Sequence, residues 1–240
     1  MTMFRQRLRQ DEVLLGQMVV ELFNPGMVPM LAACGLDFVI FDREDGRCEI
    51  SLLAEMVASC RGSEIVPIAR MPDAVYVLLS RALDVGPRGV MMPRVESREQ
   101  AKDIVSRPKY APLSKRGVVL GIAHDLYRAG KPDFFSKKNS EICVILLLET
   151  EKAFQHLDEI ISVPAVDVAW IGQYDLTVSM GIPAQFDHPR SPAAMDELIT
   201  VCQRHGVAPG FLPPSPDSTT HWIEKDFRAI SLGSDIDCNP

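Results

Sequence analysis

The chain has 240 residues, 47% of them hydrophobic and 24% charged, with 15 glycines and 18 prolines; this balance supports a sizeable core and excludes disordered and collagen-like classes. A formal net charge of −7 argues against broad attraction to nucleic-acid backbones. No stretch approaches the roughly 18 to 20 apolar residues that span a bilayer, and the first ten residues carry three arginines without an apolar run. The expectations are therefore a cytoplasmic protein with no nucleic-acid and no membrane partner.

The six cysteines, Cys34, Cys48, Cys60, Cys143, Cys202 and Cys238, show no Cys-x-x-Cys pair. They read as reduced core thiols rather than as a zinc site or a disulfide framework. Short apolar, β-branched runs alternate with helix-like intervals along the chain. In order, the pattern predicts a strand at 14–20, a helix at 25–34, a strand at 37–41, a helix at 52–61, a strand at 64–69 and a helix at 74–83. A strand at 89–92 and a helix at 97–104 follow. After a long Arg-, Lys-, Gly- and Pro-rich excursion at 107–138 come a strand at 142–148, a helix at 150–161 and a strand at 166–171. A helix at 193–205 and strands at 207–212 and 228–232 complete the series. The strands are near-continuous apolar runs, as expected where both faces of a parallel sheet are covered. Eight of them predict an α/β fold, a (β/α)8 TIM barrel forming a single domain over 1–240. Only 233–240 remain after the last strand, too short for the closing C-terminal helix. Such a chain is expected to be truncated or to lean on a neighbour, with an open barrel bottom exposing apolar surface. The excursion is expected on the catalytic face.

Chemistry in such barrels sits where strands end. The second predicted strand runs into Asp42-Arg43-Glu44-Asp45, the third into Arg70, the fourth into Pro93-Arg94, the fifth into Glu149 and the sixth into Gly172-Gln173-Tyr174-Asp175. Glu149 and Asp175 follow adjacent strands, and paired hard oxygen ligands suit Mg²⁺, Mn²⁺ or Co²⁺. Helix capping explains the same two residues equally simply. Backbone amides of the turn from Gly172 can approach an anion. Arg70 offers a fixed positive charge for a developing enolate, unless it is taken up by an ion pair with Asp42 or Asp84.

Six ordered stretches, LDFVIFDREDG, IARMPD, ALDVGPRGVMMPRVES, YAPLSKRGV, VILLLETEKA and VDVAWIGQYDLTVSMGIPAQFDHP, resemble the class II pyruvate aldolases of the HpcH/HpaI family. The resemblance runs from about 15 to 235. It implies a divalent-metal-dependent carbon–carbon lyase acting next to the enolate of pyruvate or a related 2-oxo acid, with Glu149 and Asp175 as metal ligands and Arg70 steadying the keto oxygen. It further implies that the turn Gly172, Gln173, Tyr174 and Asp175 holds the substrate carboxylate, that Asp42 and Asp84 support the base, and that the protein is a homo-oligomer. The second substrate is then an aldehyde, or acetyl-CoA in a citrate-synthase-like condensation with oxaloacetate. A barrel that only binds an oxo acid is the non-catalytic alternative.

The chain departs from the family pattern where histidine usually follows the glutamate of the second strand, for it reads Glu44-Asp45. A carboxyl of ordinary pKa about 3.9 is a poorer acid/base at neutrality than imidazole at about 6.5. Two residues are expected to fill the gap: Asp45, its pKa raised by Asp42 and Asp84, or His124, folded over the site from the excursion. No lysine stands at the strand ends, which argues against Schiff-base chemistry.

Overall fold

The computed structural model of the protein describes residues 4–128, 130 and 133–237. Eight parallel strands close into a barrel in chain order, each hydrogen-bonded to the next and the last to the first. The elements are α1 (Phe4–Arg9), β1 (Leu14–Val19), α2 (Met27–Ala33), β2 (Phe38–Asp42), α3 (Ile50–Ser59), β3 (Val66–Arg70), α4 (Tyr76–Asp84), β4 (Gly89–Met92) and α5 (Arg98–Ser106). They continue with α6 (Phe134–Glu141), β5 (Cys143–Leu148), α7 (Glu151–Gln155), α8 (Leu157–Ile161), β6 (Val168–Ile171), α9 (Gln173–Ser179), α10 (Arg190–His205), β7 (Ala208–Phe211), α11 (Thr219–Glu224) and β8 (Ala229–Ser234). All eight predicted strands are present. The interval expected as one helix at 150–161 is broken into α7 and α8 at His156, whose φ of −116° and ψ of 17° leave the helical region.

Strand alternation sorts the apolar residues into two layers. Val39, Phe41, Val90, Met92, Val144, Leu146, Leu148, Ala169 and Ile171 face outward and pack against the helices. Phe38, Ile40, Val66, Ile68, Met91, Ile145, Leu147, Val168 and Trp170 face inward and fill the barrel. Phe4 and Leu8, one helical turn apart on α1, join this inner cluster, and Phe4 meets the Phe38 ring edge-on at 5.7 Å. Arg5 is buried with them and is matched by Asp167 at 2.8 Å. The barrel bottom expected to lie open is thus plugged by α1. Among the described residues, no helix follows β8, and none is long and apolar enough to cross a membrane.

The thiols of Cys48, Cys60, Cys143 and Cys202 are buried and free, and burial pushes Cys48 and Cys60 up to about 12. Cys34 is exposed, contrary to the core reading, and Cys238 lies outside the described residues. The excursion also differs from expectation. Because α5 carries the chain back toward the barrel bottom first, much of 107–128 packs at the amino-terminal end. There Lys109 bonds the Ile142 carbonyl, the backbone of 123–124 lies beside Gly86, and Arg61 covers the Tyr127 ring. Residues 129, 131 and 132 lie outside the described residues.

Candidate active site

The alternation that fills the barrel also builds its upper rim. Phe38, Ile40 and Asp42 share one face of β2, and Val66, Ile68 and Arg70 share the corresponding face of β3; Asp42 and Arg70 are register partners. The Arg70 guanidinium donates through Nε and Nη2 to the two Asp42 oxygens at 2.6 and 2.5 Å, and through Nη2 to Asp45 at 2.8 Å. The ion pair with Asp42 is therefore formed, and Asp42 is fully buried. It fixes the guanidinium without exhausting it: Nη1 only approaches Glu44, at 3.4 Å.

Cys143, Ile145 and Leu147 face inward on β5, so Glu149, two residues on, enters the same rim. It is 4% exposed. Its Oε1 accepts the Arg94 backbone N–H at 2.8 Å. Gly172, following β6, lies directly against it: a Cβ on that residue would sit 2.7 Å from Glu149 Oε2 and 2.8 Å from Glu149 Cβ. Burial raises the Glu149 carboxyl to about 7, against the Arg94 hydrogen bond that lowers it, with Glu44 and Asp175 adding like-charge repulsion. Asp175 stands in the first turn of α9. The Gln173 side chain is buried and donates to the Leu212 carbonyl at 3.2 Å, while Tyr174 is exposed and packs edge-on against Phe186. What the turn turns toward Glu149 is therefore its backbone.

Glu44 belongs to this constellation, although the sequence reading passed over it for its neighbour. Its Oε2 is buried without a hydrogen-bond partner, and burial raises its carboxyl to about 7, with Arg70 opposing the rise and Asp45 and Asp42 adding to it. The available signal was its place at the end of β2. Arg94 stands where the sequence places it, just after the fourth strand. It has a left-handed φ of 52° and sits at the end of β4.

Two expected members lie elsewhere. Asp84 is the last residue of α4, which returns the chain to the start of β4, and it pairs with Arg116 at 2.8 Å. His124 packs against Phe134 and borders a cavity of about 20 Å³ with Arg88, Arg116 and Lys138. Both His124 nitrogens lack protein partners, and the cavity has room for one water. Burial lowers the His124 pKa. Within the chain, neither residue reaches Asp45, so the carboxylates crowding that corner are Asp42 and Glu44. Lys109, lowered to about 8 by burial, is bonded to the Asn139 carbonyl at the barrel bottom.

Among the described residues, no three or more His, Cys, Asp and Glu side chains form a ready metal cluster. The fit is that of a two-carboxylate site. Glu149 and Asp175 can supply two oxygens to an octahedral ion, leaving positions for water and a chelating substrate, and a cation there would relieve the repulsion that Glu44 and Asp175 add to the effect of burial on Glu149.

Fold and rim together define a (β/α)8 barrel whose polar side chains gather at the carboxyl-terminal mouth, where such barrels carry their active sites. The profile of the HpcH/HpaI aldolase/citrate lyase family matches residues 17–238, and the chain belongs to that family. It is 27% identical to the 2-keto-3-deoxy-L-rhamnonate aldolase of Escherichia coli K12 over 97% of its own length and 86% of the relative's. The crystal structure of an HpcH/HpaI aldolase from Desulfitobacterium hafniense DCB-2 superposes with a TM-score of 0.92 at 26% identity, covering 98% of this chain and 92% of the other. A citrate synthase, SbnG, does so with a TM-score of 0.86 at 26% identity over 98% and 91%.

Proposed function

We propose that the protein is a divalent-metal-dependent aldolase that joins or splits a carbon–carbon bond beside the enolate of a small 2-oxo acid. The observation that carries this reading is the pairing, across one rim, of a buried Glu149 pressed on the Asp175 turn with an Arg70 immobilised by Asp42. Glu149 and Asp175 would hold Mg²⁺, Mn²⁺ or Co²⁺, which when bound supplies Lewis-acid polarisation of the keto group. The backbone of 172–175 orients the substrate carboxylate. Arg70 presents Nη1 to the oxygen that becomes negative, and being pre-oriented it needs no reorganisation as charge develops. Proton movement at the partner hydroxyl falls to the acidic pair Glu44 and Asp45, which stand beside Arg70 at 3.4 and 2.8 Å.

The reading extends to a cytoplasmic homo-oligomer. Leu113, Val118, Val119 and Leu120 are 38 to 64% exposed on the excursion, next to the exposed Val75, Tyr76 and Val77 of the α4 start, an apolar surface suited to a subunit contact. Sedimentation of a monodisperse monomer would contradict it.

The test of activity is product formation with Mn²⁺ from pyruvate and a panel of aldehydes, run beside oxaloacetate with acetyl-CoA. Condensation of pyruvate with an aldehyde, lost in Glu149→Ala and weakened in Glu44→Gln, is the expected result. Thiol release only when acetyl-CoA and oxaloacetate are both present would replace the aldolase reading by a condensing one, and oxo-acid binding without turnover would leave a binding protein.

A further inference from the structure

The amino-terminal side of the barrel holds a polar pocket that the chemistry above does not use. Helices α4 and α6 deliver the chain there to the starts of β4 and β5, so that Arg88 just before β4 lies near Lys138 and Glu141 at the end of α6. The excursion closes over them with Arg116 and His124. Its approach is close enough to need glycine: Gly86 has a φ of 107°, and a Cβ there would lie 3.4 Å from the Ala123 carbonyl oxygen and 3.5 Å from His124 Cα.

Two side chains of the pocket carry unmet hydrogen-bonding capacity. His124 is 7% exposed, and neither of its ring nitrogens has a partner among the described residues. Arg116 is equally buried; its Nη2 donates to Asp84 at 2.8 Å, but its Nε has no partner among the described residues. Buried donors left unmatched are costly, and native folds meet them with an occupant.

Charge and size define that occupant. Arg116 is answered by Asp84, and Glu141 is shared by Lys138 at 3.1 Å and Lys137 at 3.8 Å, whereas Arg88 makes no ion pair among the described residues. Positive charge is therefore in excess before any imidazole proton is counted. A volume of about 20 Å³ admits one water-sized body, which leaves no room for a carboxylate or a phosphate.

We propose that this pocket binds a single monatomic anion of chloride size, held by His124, Arg116 and Arg88, and that the ion fastens residues 107–128 of the excursion to the starts of β4 and β5. A water would satisfy a donor and leave the excess charge unanswered; an anion does both. The site takes no part in the aldolase reading, and its test needs no turnover.

The experiment follows melting as sodium chloride replaces sodium gluconate at constant ionic strength. It uses the unaltered chain, Arg88→Gln, and His124→Phe, which keeps a ring against Phe134. The expected result is a saturable rise of about 3 to 6 °C when chloride reaches ten times its Kd, reproduced by bromide and lost in both variants, each read against its own chloride-free melt. Crystals of the unaltered protein grown in bromide should show an anomalous-scattering peak within hydrogen-bond distance of a His124 nitrogen. A rise without saturation, or one that both variants retain in full, would overturn the proposal. So would a pocket without the bromide peak, which would hold an ordered water only, and a peak without a saturable shift in solution, which would mark an adventitious ion only.

Discussion

Replacing Gly172 by alanine probes the centre of the site with one methyl group. The added carbon would lie 2.7 Å from Glu149 Oε2 and 2.8 Å from its Cβ, against an ordinary carbon contact of about 3.5 to 4.0 Å, so roughly 1 Å of movement is needed. Glu149 has nowhere to move without loss, since its carboxyl is fastened to the Arg94 N–H at 2.8 Å and Leu147 Cδ1 is 3.4 Å from the same new carbon. Overpacking of this kind costs about 1 to 3 kcal/mol, which for a chain of this length lowers Tm by roughly 2 to 12 °C. A carboxylate displaced by about 1 Å should lower turnover on the order of 100-fold. Calorimetry reads the first effect; an electron paramagnetic resonance titration with Mn²⁺, together with condensation kinetics, reads the second. A Gly172→Ala protein that melts, binds Mn²⁺ and turns over within twofold of the unaltered chain would refute the placement of Glu149 against this turn.

Removing Arg70 leaves Asp42 buried without its partner, so Arg70→Ala should lose about 3 to 5 kcal/mol, or roughly 6 to 20 °C in Tm; a melt unchanged within 2 °C would contradict the buried pair. In the metal-free protein Glu44 and Glu149 are raised to about 7, so the folded state binds more protons than the unfolded one between about pH 4.5 and 7. Their contribution to stability therefore falls as pH rises through that window and is flat above it. Melting curves of Glu149→Gln should show a shallower fall from pH 5.5 to 7.5, and an identical slope would count against the raised carboxyls. Mn²⁺ at 100 times its Kd should add about 2.7 kcal/mol, or roughly 5 to 11 °C, reversed by chelator and absent in Glu149→Ala; equal stabilisation of both proteins would place the ion elsewhere. His124→Phe should leave the pH profile of turnover intact, since the imidazole packs on Phe134 away from Arg70. Loss of an ionisation from that profile would return His124 to the acid/base role.

Legibility in the sequence followed how far each feature depends on the strand period alone. The eight strands, and with them Asp42, Arg70, Glu149 and Asp175 on one rim, were readable because apolar runs announce parallel strands and their ends share a face. Within the chain, Asp84 and His124 lie off this rim for the complementary reason. One ends a helix and the other lies in the excursion after one, so both belong to the return side of the fold, where strand ends offer no guide. α1 escaped notice because its signal is two apolar residues, Phe4 and Leu8, among three arginines, and its stability comes from the barrel interior that receives them. Glu44 was visible as a letter but not as a role: what singles it out is a buried Oε2 without a hydrogen-bond partner, which is not a property of local composition.

Asp45, where the resemblance leads one to expect histidine, bears on more than the identity of one base. With an imidazole absent from this corner, the rim carries Asp42, Glu44, Asp45, Glu149 and Asp175 against Arg70 and Arg94. Asp42 is neutralised by Arg70 in a bidentate pair, and Glu44 and Glu149 are pushed toward 7 chiefly by burial, with repulsion from the neighbouring carboxylates adding to it. A divalent ion on Glu149 and Asp175 would remove one of these from titration and, through the field it adds, lower Glu44 toward the range of an ordinary carboxylate. In the proposed aldolase, metal binding and proton transfer would then be coupled, because the charge that activates the keto group would also set the basicity of Glu44.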